Sequence, residues 1–231
     1  MRLAQRPSPN FGARRHGGVP DMVVLHHTAM ASCEAACARL CDPDSGVSAH
    51  YLVAQTGAVF ALVDEQARAW HAGAGRWGRI TDVNSHSIGI ELANAGPLEA
   101  CPPFPEPQMA ALERLLALIL ARWSIPPERV IAHSDMAPGR KTDPGRKFDW
   151  RRLARAGLSV WPERGANPDP ALFRANCEAF GYAPGLESSL LLSAFRQRFR
   201  PWADGPLMAG DAWRAAALAQ RFPVDPDVKA S

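Results

Sequence analysis

Four places in this chain carry residue types that could do chemistry. His26 and His27 follow the apolar run Met22-Val23-Val24-Leu25, and Glu91 ends the apolar stretch Ile88-Gly89-Ile90. His133 follows Val130-Ile131-Ala132, and the loop Arg140-Lys141-Thr142-Asp143 comes shortly after it. A carboxylate on an otherwise buried strand must be paired, metal-bound or shifted in pKa. Two imidazoles and one carboxylate are a recurrent zinc set that leaves a fourth position open for water. His26, His133 and Asp143 can supply that set from two strand ends and one loop. Zinc lowers the pKa of a bound water from about 16 to roughly 7; Glu91 would then take the water's proton, and Lys141 would hold the developing oxyanion. Each residue alone also has a plain structural reading: a surface histidine at a strand end, a glutamate on a hairpin's wet face, an ordinary polar loop. Ligands this dispersed leave no local signature.

The elements that would position these groups follow from the pattern. Met22 to Leu25 and Ser87 to Ala93 read as buried strands, and His50–Ala54 with Ala58–Val63 as a hairpin turning at Gln55-Thr56-Gly57. Ser32 is the N-cap candidate of a helix running to Leu40. After a loop with five prolines, Pro97 to Pro107, the clearest helix runs from Gln108 to Trp123, with Met109, Leu112, Leu116, Ile119 and Trp123 on one stripe. Val130 to Ala132 is a short strand, Ser134 to Phe148 a loop, and Trp150 to Ala156 a helix. Residues 1–21 read as an irregular lead-in. Strands alternating with helices predict an α/β domain, with one mixed sheet flanked by helices, over residues 1–163. Gly165 to Pro170 reads as a linker. Beyond it, Pro170–Phe180, Glu187–Phe199 and Asp211–Phe222 are short helical patterns that predict a small helical extension over 164–231.

Composition narrows the function classes. With 231 residues, 47% hydrophobic and 21% charged, the chain has the makeup of a globular domain. Its longest apolar stretch, around Leu115 to Leu120, is far short of the ~20 residues of a membrane span. A net charge of +3 gives no case for nucleic acid. The five cysteines are odd in number. Cys33, Cys37 and Cys41 recur every fourth residue, which suits either a buried helix face or a metal row, whereas Cys101 and Cys177 have no obvious partners. Reduced thiols and the lack of an apolar leader point to a cytoplasmic protein, or to a periplasmic or envelope one if a leader has been removed.

The blocks VVLHHTA (23–29), VSAHYLV (47–53), AWHAG (69–73), NSHSIGIEL (84–92) and AHSDMAPGRKTDPGRKFDW (132–150) occur in this order. Together they resemble the zinc-dependent type 2 N-acetylmuramoyl-L-alanine amidases over about two-thirds of the chain. The resemblance implies His26 (not His27), His133 and Asp143 as zinc ligands, Glu91 as the catalytic carboxylate and Lys141 as its companion. It also implies cleavage of the amide between N-acetylmuramic acid and the L-alanine of the stem peptide, in peptidoglycan or its anhydro-muropeptide fragments. His27, His71, Asn84 and Arg140 are candidate substrate contacts, each with a bracing role as the alternative; His50 is expected to be structural. The segment Ala194–Phe199 is similar to part of a peptidoglycan-binding helical module. A monomer acting on peptidoglycan or muropeptide is expected. The rivals are a recognition protein that binds muropeptide without cutting it and a zinc hydrolase of another amide, such as a deacetylase.

Overall fold

The computed structural model describes residues 3–100, 102–163 and 169–225. Cys101 and most of the expected linker (165–168) therefore lie outside the described residues. Two short strands come first, β1 (Leu3–Gln5) and β2 (Phe11–Gly12). Next are β3 (Met22–His27) and α1 (Cys33–Cys41), the latter capped by Ser32 Oγ, which accepts from the Ala35 N–H. The hairpin is β4 (Tyr51–Val53) and β5 (Val59–Ala61); β6 (Arg68–Ala69) pairs with β2. One helical turn, α2 (Val83–His86), leads straight into β7 (Ser87–Leu92). The rest comprises α3 (Glu106–Trp123), β8 (Val130–Ala132), α4 (His133–Met136), α5 (Trp150–Arg155), α6 (Phe173–Phe180), α7 (Ser188–Phe199) and α8 (Ala209–Arg221).

Six strands form one sheet in the order β1-β5-β4-β7-β3-β8. The β4–β5 pair is antiparallel and every other pair parallel, so the sheet is mixed. Side chains alternate between its faces. On one face Val23, Leu25, Ile88, Ile90 and Val130 pack against α3 and α5. On the other, Met22, Val24 and Ile131 pack against Trp77, Val160 and the aromatic residues of α6 and α7, Phe173, Phe180, Phe195 and Phe199. Each of these buried phenylalanines is worth about 1.5–3 kcal/mol, which is how helices too short to stand alone are held. Nearer the other edge of that second face, α1 covers Leu52 and Ala93 with Cys33, Ala36 and Leu40.

The lead-in differs from its irregular reading, because Leu3–Gln5 adds a parallel edge strand beside β5. The single turn α4 also stands where loop was expected, and α2 lies in a stretch to which the sequence reading gave no element. The Pro-rich loop stops earlier than its composition suggests: Pro107 sits in the first turn of α3, where a missing N–H costs nothing. Cys33, Cys37, Cys41 and Cys177 are free thiols, with Cys33 and Cys177 buried. Among the described residues no helix is long and apolar enough to cross a membrane.

Candidate active site

The register of the central strands brings the chemistry together. His26 on β3 is the Cα partner of Glu91 on β7, and Leu25 that of Ala132, the last residue before His133. By alternation His26 shares a face with Met22 and Val24, and Glu91 with Gly89. These residues sit at the carboxyl ends of parallel strands, where open α/β sheets hold ligands. His133 opens α4, whose turn is fixed by Asp135: its Oδ2 accepts from the Ala132 N–H at 2.9 Å and from Arg198 at 2.6 Å, while its Oδ1 accepts from the Tyr182 hydroxyl at 2.7 Å. The returning loop is tied back where the Ser134 N–H donates to the Asp143 carbonyl at 3.0 Å.

Three ligand atoms converge there. His26 Nδ1 lies 2.8 Å from His133 Nδ1 and 3.1 Å from Asp143 Oδ2, and His133 Nδ1 lies 2.9 Å from the same oxygen. Bonds of about 2.0–2.1 Å around a tetrahedral zinc put neighbouring donors roughly 3.3 Å apart, close to this spacing. His133 Nε2 is 2.9 Å from the Ala72 carbonyl, which can only accept, so that nitrogen carries the hydrogen and in the neutral ring Nδ1 is bare. Such a set of acceptors facing one another fits a divalent cation. Among the described residues it is the one group of His, Cys, Asp or Glu side chains that could hold a metal; the Cys33/Cys37/Cys41 row is not another.

Electrostatics agree with the geometry. Burial, then the neighbouring His133, pushes the His26 imidazole down to about 4, which keeps the ring neutral. Burial pulls the Asp143 carboxyl upward, but hydrogen bonds to His133 and His26 outweigh it and hold the group well below the usual carboxylate range. Glu91 goes the other way: burial, then the Asp143 charge, raises it to about 8, with Lys141 opposing. Its Oε2 is buried without a hydrogen-bond partner. The cavity around these groups holds about 390 Å³ and is lined among others by His27, Trp70, Glu91 and Lys141. Arg39, an exposed residue in the last turn of α1, also reaches its wall, a placement no sequence pattern announces.

The expected substrate contacts fall differently. His27 lines the cavity with Nδ1 buried and unpartnered. His71 lines it too, but both ring nitrogens have protein partners, His26 Nε2 at 3.0 Å and Ser87 Oγ at 3.2 Å. Asn84 is buried and not on the cavity wall; its Oδ1 accepts from the N–H groups of His71 (3.1 Å) and Ala72 (2.9 Å). Arg140 reaches the wall, yet its guanidinium donates to the carbonyls of Ala72, at 2.8 Å, and Ala74. His50 is fully buried and accepts from the Gly89 N–H at 2.9 Å, a support for β7.

Residues 16–146 match the family described as N-acetylmuramoyl-L-alanine amidase. The chain is 36% identical to N-acetylmuramoyl-L-alanine amidase AmiD of Escherichia coli K12, over 88% of this chain and 84% of that protein. It is 31% identical to the 1,6-anhydro-N-acetylmuramyl-L-alanine amidase AmpD of Enterobacter cloacae, over 64% of this chain and 86% of that one. Among solved structures, E. coli AmiD in complex with anhydro-N-acetylmuramic acid-L-Ala-D-γ-Glu-L-Lys superposes with a TM-score of 0.78 at 33% identity, over 96% of this chain and 93% of that one. AmpDh3 of Pseudomonas aeruginosa, in complex with an anhydromuramic pentapeptide, gives 0.80 at 31% identity, over 95% and 96%. A match of this extent, with the mixed sheet and the five chemical residues gathered in one cavity, means that the chain belongs to the N-acetylmuramoyl-L-alanine amidase family of enzymes.

Proposed function

We propose that this protein hydrolyses the amide between N-acetylmuramic acid, or its anhydro form, and the L-alanine of the stem peptide, using a zinc ion held by His26, His133 and Asp143. The observation that carries the reading is the convergence of those three ligand atoms within 3.1 Å, beside a buried, unpartnered Glu91 oxygen, in one open cavity. A zinc ion bound there supplies Lewis-acid polarisation of a carbonyl and makes a water acidic. Glu91 accepts the proton of the attacking water at its buried, unpartnered oxygen and passes it to the leaving nitrogen. Lys141 places a cation on the same wall, where it holds the carbonyl oxygen as negative charge develops. Trp70 and His27 offer surfaces for sugar and peptide, aromatic faces being good partners for sugar rings. Arg39 adds a cation toward a stem-peptide carboxylate.

The test uses zinc-loaded protein and an anhydro-muramoyl tripeptide, with products followed by mass spectrometry. Free tripeptide and anhydro-muramic acid are expected, falling by about 10²–10⁴ with Glu91→Ala and disappearing after chelation until zinc is returned. Intact substrate with the wild-type protein would overturn the reading, and release of acetate would reassign it to deacetylation. A recognition protein that binds without cutting is not favoured, since ligand set, carboxylate and lysine share one cavity.

A further inference from the structure

His71, Asn84 and Arg140 are three of the four residues that sequence reasoning assigns to substrate, and the structure commits their polar atoms elsewhere. The directions of the bonds around His71 can be fixed by counting hydrogens. Ser87 has one hydroxyl hydrogen, and it goes to the Val83 carbonyl at 2.6 Å. Ser87 Oγ is therefore an acceptor toward His71 Nε2, 3.2 Å away, and that nitrogen must carry the hydrogen. The Nδ1 of neutral His71 is then bare and accepts from His26 Nε2 at 3.0 Å. With its hydrogen on Nε2, His26 turns a lone pair on Nδ1 toward His133 and Asp143. The ring of His71 packs against Gly89 of β7, where a β-carbon would come within 2.4 Å of His71 Cγ.

The next residue serves the other imidazole. The Ala72 carbonyl accepts from His133 Nε2 at 2.9 Å and from Arg140 at 2.8 Å. Both residues are pinned from behind by one group, the Asn84 carboxamide oxygen, which accepts both of their backbone N–H groups. Two adjacent residues thus hold the outer nitrogens of both histidines whose inner nitrogens meet at the metal position.

We propose that His71-Ala72, clamped by Asn84 and Ser87, is an orienting bracket for the metal centre. In this arrangement His71 sets the tautomer and ring plane of His26, and the Ala72 carbonyl does the same for His133. His71 is then a positioning residue and not a substrate contact. The inference rests on the zinc reading given above. Outer partners of this kind govern metal affinity, and their loss typically costs 10–100-fold.

The experiment measures zinc affinity of the full chain by competition with a chromogenic chelator, together with the visible absorption of the cobalt-substituted protein. His71→Phe keeps a ring but cannot accept a hydrogen bond, so zinc affinity should fall 10–100-fold and the cobalt spectrum should change. His71→Gln can still accept from His26 and should recover most of the affinity. His71→Met is read alongside in case the phenylalanine does not fit. Zinc affinity equal to wild type in either apolar variant would overturn the proposal, as would failure of both to keep the native near-ultraviolet circular dichroism without metal, which would make the role structural. A wild-type protein that binds no zinc would instead refute the metal reading itself.

Discussion

Replacing Arg198 with methionine removes the charge that joins α7 to the turn carrying His133. The Arg198 and Asp135 side chains are both fully buried and meet at 2.6 Å. Arg198 also donates to the Val130 carbonyl at 3.0 Å and to Ser159 Oγ at 3.2 Å, and its guanidinium lies 4.3 Å above the Trp150 ring. Removing one partner of a buried ion pair costs about 3–5 kcal/mol, because the other charge is left uncompensated. Two terms set where in that range the variant falls. Methionine keeps most of the volume, so little cavity cost is added. Asp135 also retains bonds from the Tyr182 hydroxyl and the Ala132 N–H, which favours the lower half. A chain of this length shifts by about 2–4 °C per kcal/mol, so a loss of about 3–4 kcal/mol should lower Tm by roughly 6–16 °C. Urea unfolding followed by circular dichroism at pH 7 measures the loss directly. The companion variant Asp135→Asn with Arg198→Met removes both charges and should recover part of the stability, since a neutral pair leaves no orphan ion. A loss below about 1 kcal/mol in the single variant, or a double variant less stable than the single, would refute the reasoning.

Two further outcomes follow from the site. In the metal-free protein the Glu91 carboxyl is raised to about 8, so its protonated form is bound more tightly when folded than when unfolded. That stability is fully present below the ordinary carboxyl pKa near 4.5 and is lost as pH rises through about 8. Chelator-treated wild type should therefore lose up to a few kcal/mol between pH 5 and pH 8 relative to Glu91→Gln, as read by denaturant unfolding; equal slopes in the two proteins would contradict it. Gly89→Ala would force a β-carbon into the His71 ring at 2.4 Å; it should destabilise the chain by about 1–3 kcal/mol and weaken zinc binding alongside, and a variant with wild-type zinc affinity would show that the ring can move away at no cost to the metal site.

The sequence was most readable where local pattern and tertiary environment agree. β3 is apolar on both faces because both are covered, so it reads as a buried run; β7 turns Ile88, Ile90 and Leu92 to the core and Ser87, Gly89 and Glu91 to the site; α3 shows its stripe because only one side of it meets the sheet. β1 was hidden because Leu3-Ala4-Gln5 is a three-residue edge strand whose partner, β5, lies more than fifty positions away. The five chemical residues stand out as residue types and motif blocks, whereas their supports do not. Nothing near Asp135 announces that its carboxylate is shared by Tyr182 and Arg198, and Asn84 looks like any polar residue before a strand. Such roles are set by which backbone groups happen to lie opposite, and that depends on the packing of distant segments.

The supports of the two histidines proposed as metal ligands come from different parts of the chain, which makes their vulnerabilities differ. His26 leans on His71 and Ser87, both within the first hundred residues. His133 leans on Ala72 through its outer nitrogen, but the turn it opens is held through Asp135 by Tyr182, which follows α6, and by Arg198 on α7. A change in the C-terminal helices thus reaches His133 directly, through the Arg198–Asp135 pair, and His26 only through the apolar packing beneath β3, whereas a change at β7 reaches His26 through the His71 ring. The helices after residue 169 consequently do more than fill the second face of the sheet with phenylalanine. They place a buried cation beside the Asp135 carboxylate in the turn that bears His133, which ties the order of that proposed ligand to the packing of the C-terminal helices.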